Sequence, residues 1–299
     1  MPMCSKCQQI RKSIANSPVV SGGGAYPSTL ELAYMVNLEY YIDIKYDCVH
    51  EIPEVKGLKI PIIEMVNFIE KKKWEVGTKT SYNGFKCTSF LNRPAKQLVI
   101  VHRGTENWEQ VKTDIMLAMN IVTPEVIKKA DWHTRQSLMN NTLKEVNNMF
   151  VRNDYSVTVT GHSLGGWLAQ MCALLSKYPQ FHPYGPRGTW SFPNGKSIDM
   201  NQPYDLHCVA FDSPGAKAVL NHMQSASKTA AWLAGLNRDV GNALTTLDIS
   251  VYLSNRNPVN LCGDHVGKVE RISVTWFWEK LNPFASHSME RILNYFKNR

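Results

Sequence analysis

Ser163 sits in Gly161-His-Ser-Leu-Gly-Gly166, a G-x-S-x-G pattern, and no other stretch of the chain has a clearer capacity for chemistry. A serine hydroxyl at its ordinary pKa is a weak nucleophile. It attacks a carbonyl efficiently only when a base takes its proton and a further group orients that base. Five histidines follow it: His182, His207, His222, His265 and His287. His207 falls inside an apolar run, His182 in a Pro- and Gly-rich loop, and His222 in a helical stretch. His265, at the mouth of a strand, and His287, just before the last helix, remain as candidate bases. The Leu164 amide opens a helix, where an N–H without an intrahelical partner can face a developing oxyanion. The chemistry within reach is acyl transfer through an acyl-serine.

The elements that must position these groups are legible on either side. Ser156-Val-Thr-Val-Thr160 alternates β-branched residues and reads as a buried strand. Trp167-Leu-Ala-Gln-Met-Cys-Ala-Leu-Leu-Ser-Lys177 is an apolar run of good helix formers. Ser163 therefore lies on a tight strand-to-helix turn, the nucleophile elbow of the α/β-hydrolases. Gly161 and Gly165 lack a Cβ, so strand and helix can approach while the turn residue takes a strained backbone.

Elsewhere the same reasoning predicts alternating strands and helices. Residues 1–28 read as a loosely held tail, and 29–299 as one domain. Ser28 caps a helix, with Glu31 as its capping-box partner. A second helix is expected at about Ile60 to Lys73. Strands follow at Gly84–Leu91 and at Gln97–Arg103, the latter apolar enough to be central. A helix at about Arg135 to Phe150 is expected to lead into the elbow strand. Tyr178 to Pro203 reads as an irregular surface loop, Leu206–Phe211 as a strand, and 216–246 as a helical insertion. Strands are expected at Leu247–Leu253 and over 266–278, and a last helix starts at a serine cap, Ser286. The alternation predicts an α/β fold: a mostly parallel central sheet with helices on both faces and an N-terminal helical extension.

Composition narrows the partners. The chain has 299 residues, a formal charge of +8 and no long basic block. No basic-aromatic motif of a nucleic-acid reader is present, so nucleic acid is not an expected partner. An anionic lipid surface fits the charge better. The seven cysteines are an odd number scattered along the chain, the usage of reduced thiols. Cys172 and Cys208 fall in apolar segments and read as core. Cys4-x-x-Cys7 has no second ligand pair at zinc spacing. No apolar run reaches membrane-span length, and the N-terminus lacks a signal-peptide core. The reading is a soluble chain, cytoplasmic or released without a signal peptide, with peripheral membrane contact open. Oligomeric state is not legible.

From about residue 82 to 296 the chain resembles the class 3 lipases, the fungal triacylglycerol lipase-like α/β-hydrolases. His102-Arg-Gly-Thr-Glu-Asn-Trp108 and the residues to Asp114 look like that family's oxyanion stretch, and Gly161–Gly166 matches its elbow at every position. Phe211-Asp-Ser-Pro-Gly215 is similar to its G-x-P strand end, and Asp264-His-Val-Gly267 to a non-catalytic segment opening the last strand. On this resemblance His287 is the base, with His265 the alternative. Thr105 is implied as the second oxyanion group beside Leu164. Trp108, Met116, Leu117 and Met119 would line a lid or acyl groove, although their spacing equally suits a plain core helix.

The departure concerns the acid. The family places Asp where this chain has Asn257, in Asn255-Arg-Asn-Pro-Val-Asn260. Asp212, at the end of the preceding strand, is the candidate substitute; Asp264 is a weaker one. Asn257 could itself orient the base as a neutral partner. The resemblance implies a lipid substrate, acylglycerol or phospholipid, cleaved with no metal or organic cofactor. A soluble-ester esterase or acyltransferase is the alternative enzyme, and a catalytically inactive lipid- or protein-binding module the alternative of another class.

Overall fold

The computed structural model describes residues 25–42, 49–82, 85–104, 130–132, 134–135, 143–146, 149–152, 155–181, 189–191, 197–199, 203–233, 243–274 and 285–299. Helix α1 (Thr29–Glu39) opens the described chain. It starts at the expected capping box, with the Glu31 amide donating to Ser28 Oγ at 3.3 Å and the Ser28 amide to Glu31 Oε2 at 3.0 Å. Helix α2 (Ile62–Lys71) turns Ile62, Met65, Val66 and Ile69 inward, as their helical spacing requires.

Strands β1 (Glu75–Tyr82) and β2 (Phe85–Asn92) then form an antiparallel pair, and β2 pairs antiparallel with β3 (Gln97–His102). A hairpin, β4 (Leu143–Val146) with β5 (Met149–Arg152), precedes β6 (Ser156–His162). Helix α3 (Leu164–Lys177) follows directly, then a short hairpin of β7 (Thr189–Ser191) and β8 (Ser197–Asp199), and β9 (His207–Phe211). Helix α4 (Lys217–Leu233), β10 (Ile249–Leu253), β11 (Lys268–Arg271) and α5 (Met289–Lys297) complete the order. Among the described residues seven strands make one sheet, ordered β1-β2-β3-β6-β9-β10-β11. From β3 onward every pair is parallel, so the sheet is mostly parallel, as the alternating pattern requires.

The central strand β3 shows why the sheet needs helices on both faces. All six of its residues are buried. With period-two alternation, Leu98 and Ile100 join the core under α3, while Val99 and Val101 join the core beneath α1, α2 and α5. Each such side chain contributes about 1.5–3 kcal/mol relative to leaving it exposed. The N-terminal helix is part of this second core. Leu32 to Glu39 are all buried, and α1 packs against α5 from the far end of the chain as well as against α2.

Four expectations are corrected. The helix expected over Arg135 to Phe150 is, where described, helical only at its start; Leu143–Val146 and Met149–Arg152 pair as a hairpin. The loop from Tyr178 to Pro203 contains the β7–β8 hairpin. Of the strand expected over 266–278 the described residues form Lys268–Arg271, closed by the Ile272 amide donating to the Leu253 carbonyl at 2.8 Å, and 275–278 lie outside the described residues. Strand β1, Glu-Val-Gly-Thr-Lys-Thr-Ser-Tyr, carries no apolar alternation and takes the sheet edge. The N-cap of α5 is Ser288 rather than Ser286. Cys172 and Cys208 are buried in the core, as expected, and Cys172 Sγ accepts from Thr134 Oγ1 at 3.3 Å. Among the described residues no helix is long and apolar enough to cross a membrane.

Candidate active site

Strand β6 and helix α3 meet at Ser163, whose backbone has φ 57° and ψ −128°. A residue with a Cβ rarely adopts this conformation, and here the packing on both sides imposes it. The Ser163 amide donates to the Phe211 carbonyl at 3.0 Å, tying the turn to the end of β9. Helix α3 crosses so near β3 that a Cβ on Gly165 would lie 2.1 Å from the His102 carbonyl oxygen. Only glycine allows that approach. Ser163 occupies the N-cap of α3, yet its hydroxyl makes no capping bond. Its Oγ is buried and has no hydrogen-bond partner among the described residues. Leu164 is the first residue of the helix, so its amide lies among the N–H groups that helix geometry leaves without intrahelical partners.

Asp212 follows β9 and is fully buried, also with a positive φ, 47°. Its amide donates to the Tyr252 carbonyl at 2.7 Å, which holds the turn over the end of β10. Five hydrogen bonds converge on its carboxylate. Oδ1 accepts from the Ser254 amide at 2.9 Å, from Ser254 Oγ at 2.8 Å and from Asn260 Nδ2 at 2.7 Å. Oδ2 accepts from Asn257 Nδ2 at 2.9 Å and from His287 Nδ1 at 2.6 Å. Burial by itself pushes the Asp212 carboxyl up. The hydrogen bond and charge of His287, with the Asn260 amide, outweigh it, so the group ends below its usual range. His287 lies in the helical turn Ala285–His287 before α5 and is likewise buried.

The two segments that compete for the acid are thereby distinguished. Asn257 Oδ1 is occupied by the amides of Val259 and Asn260, both at 3.0 Å. Its Nδ2 therefore points the other way and donates to Asp212. Asn257 is a support of the carboxylate, and the partner of His287 Nδ1 is Asp212. The alternative base, His265, is half-buried and directs Nε2 at the Asn260 carbonyl, 3.2 Å away. His207 stands at the opposite end of β9, paired with Asp248 at 2.8 Å and stacked on Tyr26. Thr105, Trp108, Met116, Leu117 and Met119 lie outside the described residues.

One neighbour was not singled out from the sequence. His162, just before the serine, lays its ring 4.5 Å from that of His287, tilted by 36°. Its Nδ1 is 2.7 Å from the Tyr40 hydroxyl. Burial, then the charge of His287, lowers its pKa to about 3, so the ring is neutral over the working range of pH. His162, Asp212 and His287 also form a cluster whose donor atoms lie within 4.8 Å of one another, close enough to hold a metal ion. Within it His162 Nδ1 is engaged by the Tyr40 hydroxyl, and His287 Nδ1 and Asp212 Oδ2 by each other.

Residues 99–193 match the family model described as lipase (class 3). Solved structures with a similar fold include the Lip2 lipase of Yarrowia lipolytica, 15% identical, covering 83% of this chain and 77% of that one with a TM-score of 0.38. The Rhizomucor miehei lipase propeptide complex is 14% identical over 84% of this chain and 73% of that one, TM-score 0.40. A lipase from Rhizopus microsporus var. chinensis is 15% identical over 86% and 80%, TM-score 0.42. A comparison with curated protein sequences finds no match.

Proposed function

We propose that this chain, of the class 3 lipase family by its match over residues 99–193, is a serine hydrolase cleaving acyl esters of lipids through an acyl-serine intermediate. Ser163 Oγ attacks the ester carbonyl carbon while its proton passes to His287 Nε2. Asp212 stabilises the resulting imidazolium through Nδ1. The tetrahedral oxyanion is taken up by the backbone N–H groups of Leu164 and Thr105. Collapse expels the alcohol, which leaves with the proton from His287. Water then adds to the acyl carbon by the same steps and frees the serine. Trp108, Met116, Leu117 and Met119 are the proposed acyl contacts.

The observation that carries this reading is the buried 2.6 Å contact between Asp212 and His287 beside a strained serine whose hydroxyl caps nothing. A charge-supported base and a nucleophile without a structural task are what acyl-enzyme chemistry requires. The test is covalent labelling with a fluorophosphonate, read by mass spectrometry, together with hydrolysis of a p-nitrophenyl acyl ester. One adduct on Ser163 and steady turnover are expected. An unlabelled protein would return the chain to the inactive-module reading.

Asn257 is proposed to act only by holding Asp212, so Asn257→Ala should cost about ten-fold or less in kcat, the scale of lost outer support. A loss as large as that from removing Asp212 would contradict this. The charge of +8 leads to a prediction about the lipid surface. Hydrolysis of lipid in vesicles should be faster when anionic lipid is included, and the gain should fade from 10 to 300 mM salt as screening shortens. Equal rates on neutral and anionic vesicles at low salt would remove the electrostatic part of the proposal. Within lipids, the same vesicles made with phospholipid alone or with added triacylglycerol separate the phospholipase from the lipase.

A further inference from the structure

We infer that His162 and Tyr40 are positioning residues for the base: Tyr40 holds the ring of His162, and that ring holds the plane of the His287 imidazole. The inference rests on the acyl-serine reading and adds to it two residues beyond the Ser163, His287 and Asp212 set.

The argument begins with a degree of freedom. The hydrogen bond from His287 Nδ1 to Asp212 Oδ2 fixes one nitrogen at 2.6 Å from its partner. It does not fix the ring's rotation about that line, and on such a rotation Nε2 sweeps an arc. General-base catalysis tolerates little of this, since the base must stay within hydrogen-bond reach of the serine proton. A flat group against the face of the ring removes the rotation. His162 supplies one, with centroids 4.5 Å apart. Its position is inherited from β6, because residue 162 directly precedes the serine it serves.

His162 must in turn be held, and its restraint comes from the other end of the chain. The Tyr40 hydroxyl meets His162 Nδ1 at 2.7 Å across 122 residues of sequence. Tyr40 is the C-cap of α1, and its own anchorage is to the end of β3. The Arg103 guanidinium donates to the Tyr40 carbonyl and to that of Ile42, and its central carbon lies 5.7 Å over the Tyr40 ring. Gly104 closes the group. A Cβ there would lie 2.7 Å from the Tyr40 hydroxyl, 2.6 Å from the His162 carbonyl oxygen and 3.3 Å from Ser163 Cβ. The strand end leading to Thr105, the elbow and the base thus share one restraint, and α1 delivers it.

The chemistry of the two side chains suits the task. A neutral imidazole can lie against an imidazolium without repelling it, whereas a lysine or arginine at position 162 would oppose the proton that His287 must accept. The tyrosine hydroxyl can donate or accept, so it can hold either neutral tautomer of His162.

The test uses the full chain and four variants: Tyr40→Phe, His162→Ala, His162→Phe, and Tyr40→Phe combined with His162→Phe. The readouts are kcat and KM on a short-chain p-nitrophenyl ester and the rate of fluorophosphonate labelling, with melting by circular dichroism as the folding control. Tyr40→Phe should lower kcat and the labelling rate together, about ten-fold, with KM changed less than two-fold. His162→Phe keeps a flat face and should recover most of the activity that His162→Ala loses. In the His162→Phe background Tyr40→Phe should cost nothing more, because the hydroxyl no longer has a nitrogen to hold. Wild-type kcat in Tyr40→Phe and His162→Ala would overturn the inference, as would independent losses that multiply in the double variant. Wild-type protein that takes up no fluorophosphonate would instead overturn the acyl-serine reading beneath it.

Discussion

Replacing Ser163 by alanine should lower kcat for ester hydrolysis by about a million-fold while leaving the melting temperature within a degree or two of the parent. The first half follows from the proposed covalent step: without Oγ there is no acyl-enzyme, and losses on this scale accompany removal of a triad nucleophile. The second half follows from what the hydroxyl does in the folded protein. Ser163 Oγ neither caps α3 nor accepts or donates a bond among the described residues. Alanine keeps the Cβ, so the strain of φ 57° is carried equally by both proteins. Stability and activity should therefore separate cleanly. The measurement is turnover of a p-nitrophenyl acyl ester alongside thermal melting. Turnover near that of the parent would end the acyl-serine proposal.

Asp212→Asn is expected to lower kcat by roughly ten-thousand-fold, the cost of a lost triad carboxylate. The carboxylate accepts five hydrogen bonds and donates none. An amide in its place has one accepting oxygen and one donating nitrogen, so one side of the cradle must face N–H against N–H. If the amide nitrogen turns to His287, the imidazole is driven to the tautomer that carries its proton on Nε2 and cannot accept one from serine. If the oxygen turns to His287, the charge that stabilises the imidazolium is still lost, and the donors of Ser254 and Asn260 face the nitrogen. The backbone does not confound the comparison, since asparagine tolerates the positive φ of this position as aspartate does. The variants must be compared at matched folding by circular dichroism. An active Asp212→Asn beside an inactive Asn257→Ala would replace the proposal by a Ser–His–Asn arrangement.

Much of this protein is determined locally. A strand of alternating β-branched residues, two glycines and an apolar helix are enough to specify the elbow, because each pattern acts over a few residues and all agree on one turn. The capping box at Ser28 and Glu31, the buried central strand β3 and the terminal strand–helix alternation are local in the same sense. The match over residues 99–193 contains that elbow but neither Asp212 nor His287.

What lies outside local reach is which side chains meet. Asp212 and Asn257 are 45 residues apart and each was a chemically sensible partner for a histidine. The choice between them depends on where two backbone amides, those of Val259 and Asn260, happen to point, and they turn the Asn257 oxygen away. The β4–β5 hairpin lost to a helical reading for the opposite reason: its residues suit either period, and only the pairing across two asparagines decides. Tyr40 lies farthest from local inference. Nothing in Tyr40 or its neighbours announces a link to the serine, because the link exists only once α1 has packed on the sheet beside α5 and brought a hydroxyl to a histidine 122 residues away. Sequence determines most of the elements and the turn at Ser163, since those are decided by short-range sterics and hydrophobic period. The pairing of Asp212 with His287, the contact of Tyr40 with His162 and the place of the first helix are decided by tertiary packing, since a hydrogen-bond partner is selected by position in space, and position is a property of the whole fold.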